Sequence, residues 1–370
     1  MNNNITKIEI PFLSEDFNLT DGHAYRKWSV DEENIINNSV TFFKTTNRQQ
    51  QPLLEKEYIK YFLQLAQQTI NFKEQRYLLC TSASIGIEIV ANYLRLHHMS
   101  LTLSEPSFDN LADIFKRHDI ALNPFSDEYF DKPEFMKQLK KIETDAICFV
   151  SPNNPTGNIL TKKNFIALVN YCKENKKLLI LDFCFRAYIP RNILYDEYKI
   201  LLESGVHYIL IEDTGKTWPT VELKVAFLTV SQSSYEAIYK IYTDLILHVS
   251  PFTVKLMTEF IKNSINDNLK YIHNIVASNR KTLYSHIENT ILTPVEQSFM
   301  SVSWLKVNNL TGQELKKLLD RKNVHVLPGD YFYWSNHQRG KHYIRIALVR
   351  DTDVFEKAAI VIGKICKELI

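Results

Sequence analysis

The chain has 370 residues, of which 45% are hydrophobic, so it can bury a large core, and its length predicts two domains. Because 44 Lys and Arg residues are balanced by 42 Asp and Glu residues, the net charge of +2 argues against nucleic acid or an anionic membrane as partner. Five cysteines without CxxC spacing argue against a disulfide framework and against a metal site. The sequence also lacks a signal-peptide pattern and an apolar run long enough to span a membrane, which predicts a soluble, cytoplasmic protein.

The N-terminal segment is polar with scattered apolar positions and has no evident partner in a sheet. We therefore expect residues 1–24 to form an arm or lid. Thr6 and Glu9 are three residues apart and would share one face of a helical turn. The apolar residues of ITKIEIPFL would dock that turn onto the rest of the protein.

Short apolar runs alternate with amphipathic stretches between residues 75 and 230. This alternation predicts an α/β fold with a mostly parallel sheet of seven strands, in a large domain over residues 25–245. Several runs are apolar without alternation, which is typical of strands covered by helices on both faces. The predicted strands are RYLLC ending at Cys80, MSLTL at Leu103, IALNP at Pro124, DAICFV at Val150, KLLILDF at Phe183, HYILIE at Glu212 and VAFLTV at Val230.

The C-terminal part, residues 246–370, is predicted to form a smaller α+β domain. Apolar residues at helical spacing between residues 231 and 289 predict a long helix linking the two domains. Short strands follow in SFMSVSWLKV, VHVLPG and HYIRIALV, and the chain ends in the helix VFEKAAIVIGKICKELI.

Three polar residues stand just after apolar strands. Asn154 lies in SPNNPTGNIL, Asp182 is the last residue but one of KKLLILDF, and Lys216 follows HYILIE in the string DTGK. In isolation, Asn-Pro and Thr-Gly predict only a turn, and a lone Lys is usually a solvated surface residue. Together they indicate a site, because open α/β sheets bind ligands beyond the carboxyl ends of their strands.

In order and spacing, these residues resemble the fold type I pyridoxal-phosphate enzymes, the aspartate-aminotransferase-like superfamily, over nearly the whole chain. The resemblance implies pyridoxal 5'-phosphate as cofactor and Lys216 as the residue that forms its Schiff base. It implies Asp182 as the carboxylate that keeps the pyridine nitrogen protonated. It also implies Asn154 as a donor to the phenolic oxygen of the cofactor and to the substrate carboxylate.

The phosphate of the cofactor would be held by CTSASIGIEIV, where Ser82, Ala83 and Ser84 lie between a strand and a helix. The alternative for Ser82 is a plain N-cap, and both roles are compatible. Lys224 occupies the place where superfamily members usually carry a phosphate-binding arginine.

Three further positions correspond to other parts of such a site. Phe108 corresponds to the aromatic residue that stacks on the pyridine ring, although it is equally suited to the core. Arg345 corresponds to the arginine that grips the substrate carboxylate, and Arg350 is a competing candidate for that role.

Two departures separate the chain from an ordinary transaminase. Phe185 stands where most members have a tyrosine, and Asp213 stands where many have a serine. A carboxylate near a phosphate would repel it, so Asp213 is expected to face a cation. With DGHA, EPSFDNLADIF, IEDTGKTWPT and VRDT, these departures resemble the pyridoxal-phosphate- and O2-dependent L-arginine oxidases and hydroxylases of enduracididine-type pathways.

This narrower resemblance implies that L-arginine and dioxygen are the substrates. The products would be 2-ketoarginine, 4-hydroxy-2-ketoarginine or both, or a dehydro product, with ammonia and peroxide. It further implies Asp213, Asp21 and Glu9 as partners of the guanidinium, with Thr6 alongside, and His23 as a catalytic residue that organises water or O2. Without the resemblance, Glu9 and Asp21 would be solvated acids and His23 a surface histidine.

Two alternatives remain open. The first is an arginine aminotransferase or a capreomycidine-synthase-like cyclase of hydroxyarginine, which oxygen consumption would distinguish. The second is a non-catalytic cofactor-binding module of a transcription factor, for which the roughly 40 residues before the catalytic domain are too few to form a winged helix-turn-helix. Because fold type I sites form at a dimer interface, we expect a homodimer or a dimer of dimers, with KIYTDLILHVSP and residues near Tyr58 at the contact.

Overall fold

The computed structural model describes residues 4–46, 49–220, 223–295 and 299–370. The α-helices in these ranges are α1 Ile5–Glu9, α2 Val30–Asn37, α3 Ser39–Thr46, α4 Gln51–Leu65, α5 Ala83–Leu96, α6 Asp109–Arg117, α7 Phe135–Leu139, α8 Lys162–Glu174, α9 Glu197–Ser204, α10 Gln232–Leu245, α11 Pro251–Asp267, α12 Lys270–Ile287, α13 Gly312–Asp320 and α14 Thr352–Lys367. The strands are β1 Gln75–Cys80, β2 Leu101–Glu105, β3 Leu122–Ser126, β4 Ala146–Val150, β5 Leu178–Asp182, β6 Tyr208–Asp213, β7 Ala226–Ser231, β8 Leu292–Pro294, β9 Val302–Val307, β10 Leu327–Pro328 and β11 Tyr343–Ala347.

A seven-stranded sheet of order β1-β7-β6-β5-β4-β2-β3 forms the centre of the large unit. Strands β2 to β6 run parallel to their neighbours in this group, and β7 runs antiparallel to both β1 and β6. Every residue of β4, β5, β6 and β7 is buried, because helices cover both faces of the sheet. The predicted fold class is confirmed, and all seven predicted strands lie within two residues of the observed ones.

A second, antiparallel sheet of order β10-β11-β9-β8 follows in the C-terminal part. The predicted strands VHVLPG and HYIRIALV correspond to β10 and β11, and SFMSVSWLKV contains β9. The first residue of that last string, Ser298, lies outside the described residues. The short strand β8 was not predicted, since three residues at a sheet edge carry little hydrophobic pattern.

The prediction of one long linking helix is wrong. Between residues 231 and 289 the chain forms three helices instead, α10, α11 and α12. The last two are separated at Asn268 and Leu269, whose φ angles of 57° and 59° are left-handed. The side chain of Asp267 accepts hydrogen bonds from the backbone N–H groups of Leu269 and Tyr271 at 2.9 and 3.3 Å. An acidic side chain that bonds the next turn in this way ends one helix and begins another.

The N-terminal segment contains the predicted helical turn, because Thr6 and Glu9 both lie in α1. Ile5 is fully buried in a cluster with Trp304, Leu327 and Phe332, which docks this helix onto the protein. Residues 1–3 of the predicted arm lie outside the described residues.

The expectation that the first 20 residues lack a partner in a sheet is wrong for residues 17–19. The N–H of Leu19 donates to the carbonyl of His325 at 2.9 Å, and the N–H of Ala347 donates to the carbonyl of Leu19 at 2.9 Å. The pairing of residues 17–19 was not predicted because it lies beside β10, a strand of only two residues. So short a pairing leaves no alternation of apolar and polar residues in the sequence. Across the described ranges, no helix combines the length and apolar character needed to cross a bilayer.

Candidate active site

A cavity of about 210 Å³ lies at the carboxyl ends of β4, β5 and β6. These strands are neighbours, so the residues that follow or end them meet at one edge of the sheet. Asn154, Asp182 and Lys216 all line the cavity, as the sequence predicted. The other predicted site residues that line it are Thr6, Glu9, Asp21, His23, Ser82, Ala83, Ser84, Phe108, Asp213, Lys224 and Arg345.

Asp182 is buried at the end of β5, with 4% of its surface exposed. One of its oxygens, Oδ1, accepts a hydrogen bond from the N–H of Cys184 at 2.9 Å. Burial, with the nearby carboxylate of Asp213 adding to it, raises the pKa of Asp182 above its ordinary value. A cationic group placed against Asp182 would therefore stabilise the ionised form of its carboxylate.

The start of α5 supplies a second wall of the cavity. Ser82 is the N-cap residue, and its hydroxyl accepts from the N–H of Ile85 at 3.3 Å, so the plain capping role is present. The hydroxyl of Ser84 accepts from Nδ2 of Asn110 at 3.1 Å. Because the N–H groups at a helix start point outward with a positive dipole, this end of α5 suits an anion.

Lys224 reaches the same cavity across the backbone of Gly215. A Cβ on Gly215 would lie 2.9 Å from Cδ of Lys224, so a side chain at this position would push the lysine stem away. Glycine at position 215 therefore leaves room for the side-chain stem of Lys224. The Lys224 ammonium lies near His23, with its Nζ 3.5 Å from Nε2 of the histidine.

A chain of hydrogen bonds connects Lys216 to the N-terminal segment. Nζ of Lys216 lies 3.2 Å from Nε2 of His23, and Nδ1 of His23 lies 2.6 Å from Oδ1 of Asp21. The hydroxyl of Tyr25 donates to the other oxygen of Asp21 at 2.8 Å. Since Nδ1–H donates to the carboxylate, Nε2 is the acceptor that faces the lysine.

The protonation states of His23 and Asp21 depend on each other and on the nearby Lys216 ammonium. The Lys216 ammonium, followed by burial, lowers the pKa of His23, although the Asp21 carboxylate opposes both. Burial disfavours the ionised form of Asp21, but the hydrogen bonds from His23, with the Lys216 ammonium nearby, outweigh it and hold the pKa of Asp21 well below its usual range. Asp21 is therefore an anion that fixes the orientation of His23.

Arg345 lies on β11 and is 1% exposed. Its guanidinium donates to Oε1 of Glu9 at 3.1 Å, to Oδ1 of Asn154 at 3.2 Å and to the carbonyl of Thr20. Its Nε is buried without a hydrogen-bond partner among the described residues. Burial raises the pKa of Glu9 to about 7, with Arg345 opposing and Asp21 adding to the effect.

Arg350, the competing candidate for the substrate carboxylate, does not line the cavity. Its guanidinium donates to the backbone carbonyls of Asn18, Asp21 and His23 at 2.7, 2.6 and 2.9 Å. These bonds leave Arg345 as the arginine that faces the cavity.

Aromatic and small residues complete the walls. Phe108 precedes α6, lines the cavity and also packs against Phe332, with the ring centroids 6.4 Å apart. Phe185 is 4% exposed and brings no hydroxyl to the cavity. A second cavity of about 320 Å³ adjoins the first and shares Cys184 and Asp213 with it.

Sequence reasoning missed two tyrosines that support the site. Tyr25 holds Asp21, and the hydroxyl of Tyr188 donates to the backbone carbonyl of Lys216 at 2.6 Å. The position of Tyr25 four residues after Asp21 was the available signal, since DGHA already marked this stretch. Nothing in the sequence connects Tyr188 to Lys216.

Comparisons with known proteins agree with this arrangement. The family model "Aminotransferase class I and II" matches residues 13–362, and the chain belongs to that family. Its cofactor is pyridoxal 5'-phosphate, and the predicted resemblance to fold type I enzymes is confirmed.

Three individual proteins illustrate the similarity of this chain to known structures and sequences. The chain is similar to MppP, whose structure was solved after soaking with the product 2-ketoarginine, at 29% identity and a TM-score of 0.87 over 94% of this chain and 99% of that chain. It shares the fold of the Thermus thermophilus aspartate aminotransferase with maleate, at 12% identity and a TM-score of 0.79 over 99% and 97% of the two chains. A histidinol-phosphate aminotransferase of Caldicellulosiruptor saccharolyticus is 24% identical over 258 residues, which are 68% of this chain and 66%, just under two thirds, of that relative.

The residues of the cavity fit this cofactor. The ammonium groups of Lys216 and Lys224 form no salt bridge with a carboxylate within the described ranges, and with the start of α5 they suit a phosphate and a carbonyl. The buried carboxylate of Asp182 suits a protonated ring nitrogen. Among the described residues, Nδ2 of Asn154 has no hydrogen-bond partner, which leaves a donor for an oxygen of the cofactor.

Proposed function

We propose that this chain oxidises L-arginine with O2. Deamination alone consumes one L-arginine, one O2 and one water, and yields 2-ketoarginine, ammonia and hydrogen peroxide. Formation of 4-hydroxy-2-ketoarginine consumes a second O2 and a second water and yields a second peroxide, so that the hydroxyl oxygen comes from water. We propose L-arginine and dioxygen as the substrates of the cavity described above.

The layout of charge around the cavity carries this proposal. Arg345 provides a cationic group, Glu9 lies beside it at 3.1 Å, and Asp21 and Asp213 add further carboxylates to the lining, of which Asp213 has no salt-bridge partner within the described ranges. An amino acid with a carboxylate at one end and a guanidinium at the other matches such a cavity. Glu9 in particular, with its pKa raised to about 7 by burial, would be stabilised in its ionised form by an arriving guanidinium.

The similarity to MppP supports the same substrate class. That protein has 2-ketoarginine as a product, and its similarity to this chain extends over 94% of the residues here. The aspartate aminotransferase of similar fold is only 12% identical and supports the fold alone.

Lys216 is the residue that we assign to proton transfer. Pyridoxal phosphate, when bound, supplies an electron sink for the α-carbon of an amino acid joined to it. The amine of Lys216 would take the α-proton, and Nε2 of His23, at 3.2 Å, would hold the amine or receive a proton from it. Asp21 would keep His23 in the tautomer that makes this possible.

Three other residues would position the substrate and limit competing proton transfers. Nε of Arg345, buried without a partner among the described residues, and Nδ2 of Asn154 would donate to the α-carboxylate. Phe185, which has no hydroxyl, cannot donate a hydrogen bond or a proton within the cavity. We propose that this absence leaves the substrate electrons available to O2.

A single incubation tests the proposal. Purified holoenzyme with L-arginine in air is expected to consume O2 and release peroxide in the ratios given above, without any added keto acid. Mass spectrometry would identify the product, and incubation in H2 18O would label the 4-hydroxyl. Turnover that requires a keto acid and leaves O2 untouched would contradict the proposal.

An aminotransferase is the second candidate, because the family and the Caldicellulosiruptor relative carry that name. It would convert arginine only in the presence of an amino acceptor. The same incubation with and without 2-oxoglutarate or pyruvate separates the two functions.

We further propose that the chain forms a homodimer or a dimer of dimers. In the segment KIYTDLILHVSP, Leu245 and Leu247 are 53% and 90% exposed, and Leu53, on the same helix as Tyr58, is 63% exposed. Exposed apolar side chains of this size are typical of an interface. Light scattering of the active holoenzyme is expected to give twice or four times the chain mass of 43.3 kDa. An active species of monomer mass would contradict this.

A further inference from the structure

We infer that His23 is positioned by the C-terminal four-stranded sheet, through Arg350, and keeps that position without helix α1. The inference concerns residues 18–25, which we call the His23 segment. It rests on the proposed function only for its effect on products, and its structural part is tested separately.

The backbone of the His23 segment continues the C-terminal sheet. At one end, Leu19 is bonded to His325, beside β10, and to Ala347 at the end of β11. At the other end, the N–H of Tyr25 donates to the carbonyl of Val349 at 3.0 Å. The segment therefore follows the stretch that leads out of β11 and is joined to it at both ends.

Arg350 fastens the turn between these ends. Its Nε, Nη1 and Nη2 donate to the carbonyls of Asn18, His23 and Asp21, and its guanidinium carbon lies 4.9 Å from the centroid of the Tyr25 ring. The side chain is 3% exposed. A planar guanidinium that donates in three directions fixes the spacing of these carbonyls in a way that a lysine cannot reproduce.

Helix α1 also packs on this sheet, since Ile5 is buried against Trp304 and Leu327, but it makes none of the hydrogen bonds given above for the His23 segment. The N–H of Ile5 donates to Oδ2 of Asp109 at 2.7 Å, and Asp109 begins α6 of the large unit. The ring of Phe12, which follows α1, stacks on His325 with centroids 3.9 Å apart. Loss of α1 would therefore remove Thr6 and Glu9 from the cavity without breaking the bonds that place His23.

The consequence is a link between substrate capture and the placement of His23. Arg345 lies on β11, faces the cavity and also donates to the carbonyl of Thr20 within the His23 segment. Lys216 follows β6 of the other sheet. Any movement of the C-terminal sheet that shifts Arg345 would therefore also change the distance between His23 and Lys216, which is 3.2 Å in this structure.

Hydrogen exchange of the holoenzyme without substrate tests the structural part. Arg350→Met is expected to speed exchange at the amides of Leu19 and Tyr25 by about tenfold or more, since local opening no longer breaks the guanidinium bonds. Arg280→Met is the matched control, because Arg280 is a 5% exposed arginine of the same unit that donates to the carbonyls of Met300 and Val302. Both that control and a deletion of residues 1–9 are expected to leave Leu19 and Tyr25 protected.

Two hydrogen-exchange results would overturn the inference. If deletion of residues 1–9 exposes Leu19 and Tyr25 as much as Arg350→Met does, His23 belongs to the arm and the inference fails. Arg350→Lys, which keeps the charge, provides a second variant if the methionine substitution does not fold, and it too should speed exchange at both amides. Unchanged exchange in both Arg350 variants would also refute the inference.

Product analysis tests the functional part. Arg350→Lys and His23→Ala are both expected to shift the products toward simple deamination to 2-ketoarginine, whereas deletion of residues 1–9 should mainly raise KM for arginine. A product ratio in Arg350→Lys equal to that of the wild type would refute this part. If the holoenzyme consumes no O2 at all, the proposed function fails, while the exchange results still decide where His23 belongs.

Discussion

Lys216→Ala is expected to abolish covalent attachment of the cofactor and to reduce turnover by at least about 10²- to 10⁴-fold, the usual contribution of a positioned proton-transfer group. Lys216 follows β6 at the edge of the sheet where Asp182 and Asn154 also lie. Borohydride reduction of the wild-type holoenzyme, followed by peptide mapping, should place the adduct on the peptide that contains Lys216. The variant should bind the cofactor without forming that adduct.

Lys224→Ala is the matched control, since its ammonium lies in the same cavity, also within 3.5 Å of Nε2 of His23. We expect this variant to keep the covalent linkage but to hold the cofactor less tightly, because one of the charges opposite the phosphate is lost. Equilibrium dialysis would measure that affinity. An adduct on Lys224 in the wild type would show that the two lysines have been assigned the wrong way round.

Asp213→Asn is expected to impair arginine selectively, with a loss in kcat/KM equivalent to about 2 to 4 kcal/mol, or ~30- to 900-fold. Asp213 is 8% exposed, and Oδ1 accepts from the N–H of Gly215 at 3.0 Å. Within the described ranges it forms no salt bridge, so the carboxylate has no cation of its own until a ligand brings one. The measurement is kcat/KM for arginine and for norvaline, a neutral amino acid of similar stem.

Glu9→Gln provides the comparison for Asp213, since Glu9 already contacts Arg345 at 3.1 Å. Both variants should lose more with arginine than with norvaline if both carboxylates face the guanidinium. An equal loss for the two substrates in Asp213→Asn would mean that this residue serves the cofactor or the fold instead.

The strands, and the residues that line the cavity at their carboxyl ends, were predictable from the sequence because their signals are local. Strands such as β4, β5 and β6 are continuous apolar runs, and parallel strands bring their carboxyl ends together whatever the intervening helices do. Asn154, Asp182 and Lys216 were therefore placed correctly in one cavity from their order alone. Asp213 likewise follows from its position at the end of β6.

The partners of the N-terminal residues could not be predicted in the same way. Asp21 was expected to face a guanidinium, yet its two oxygens are engaged by His23 and Tyr25. Arg350 was a candidate for the substrate carboxylate, yet it donates to backbone carbonyls more than 300 residues away in sequence. Such contacts depend on how two distant segments pack, and neither hydrophobic period nor spacing encodes them.

The raised pKa of Glu9 lowers the free energy of unfolding at neutral and higher pH. Because the pKa of Glu9 is about 7 in the folded protein, against 4.5 for an exposed Glu, the folded chain holds this proton more tightly than the unfolded chain does. The contribution of Glu9 to the free energy of unfolding therefore falls as pH rises from 4.5 to about 7, and at higher pH the folded protein bears the full electrostatic cost of an under-compensated anion. A cation bound beside Glu9 would reduce that cost, so a cationic substrate is expected to raise the free energy of unfolding most at a pH above the pKa of Glu9.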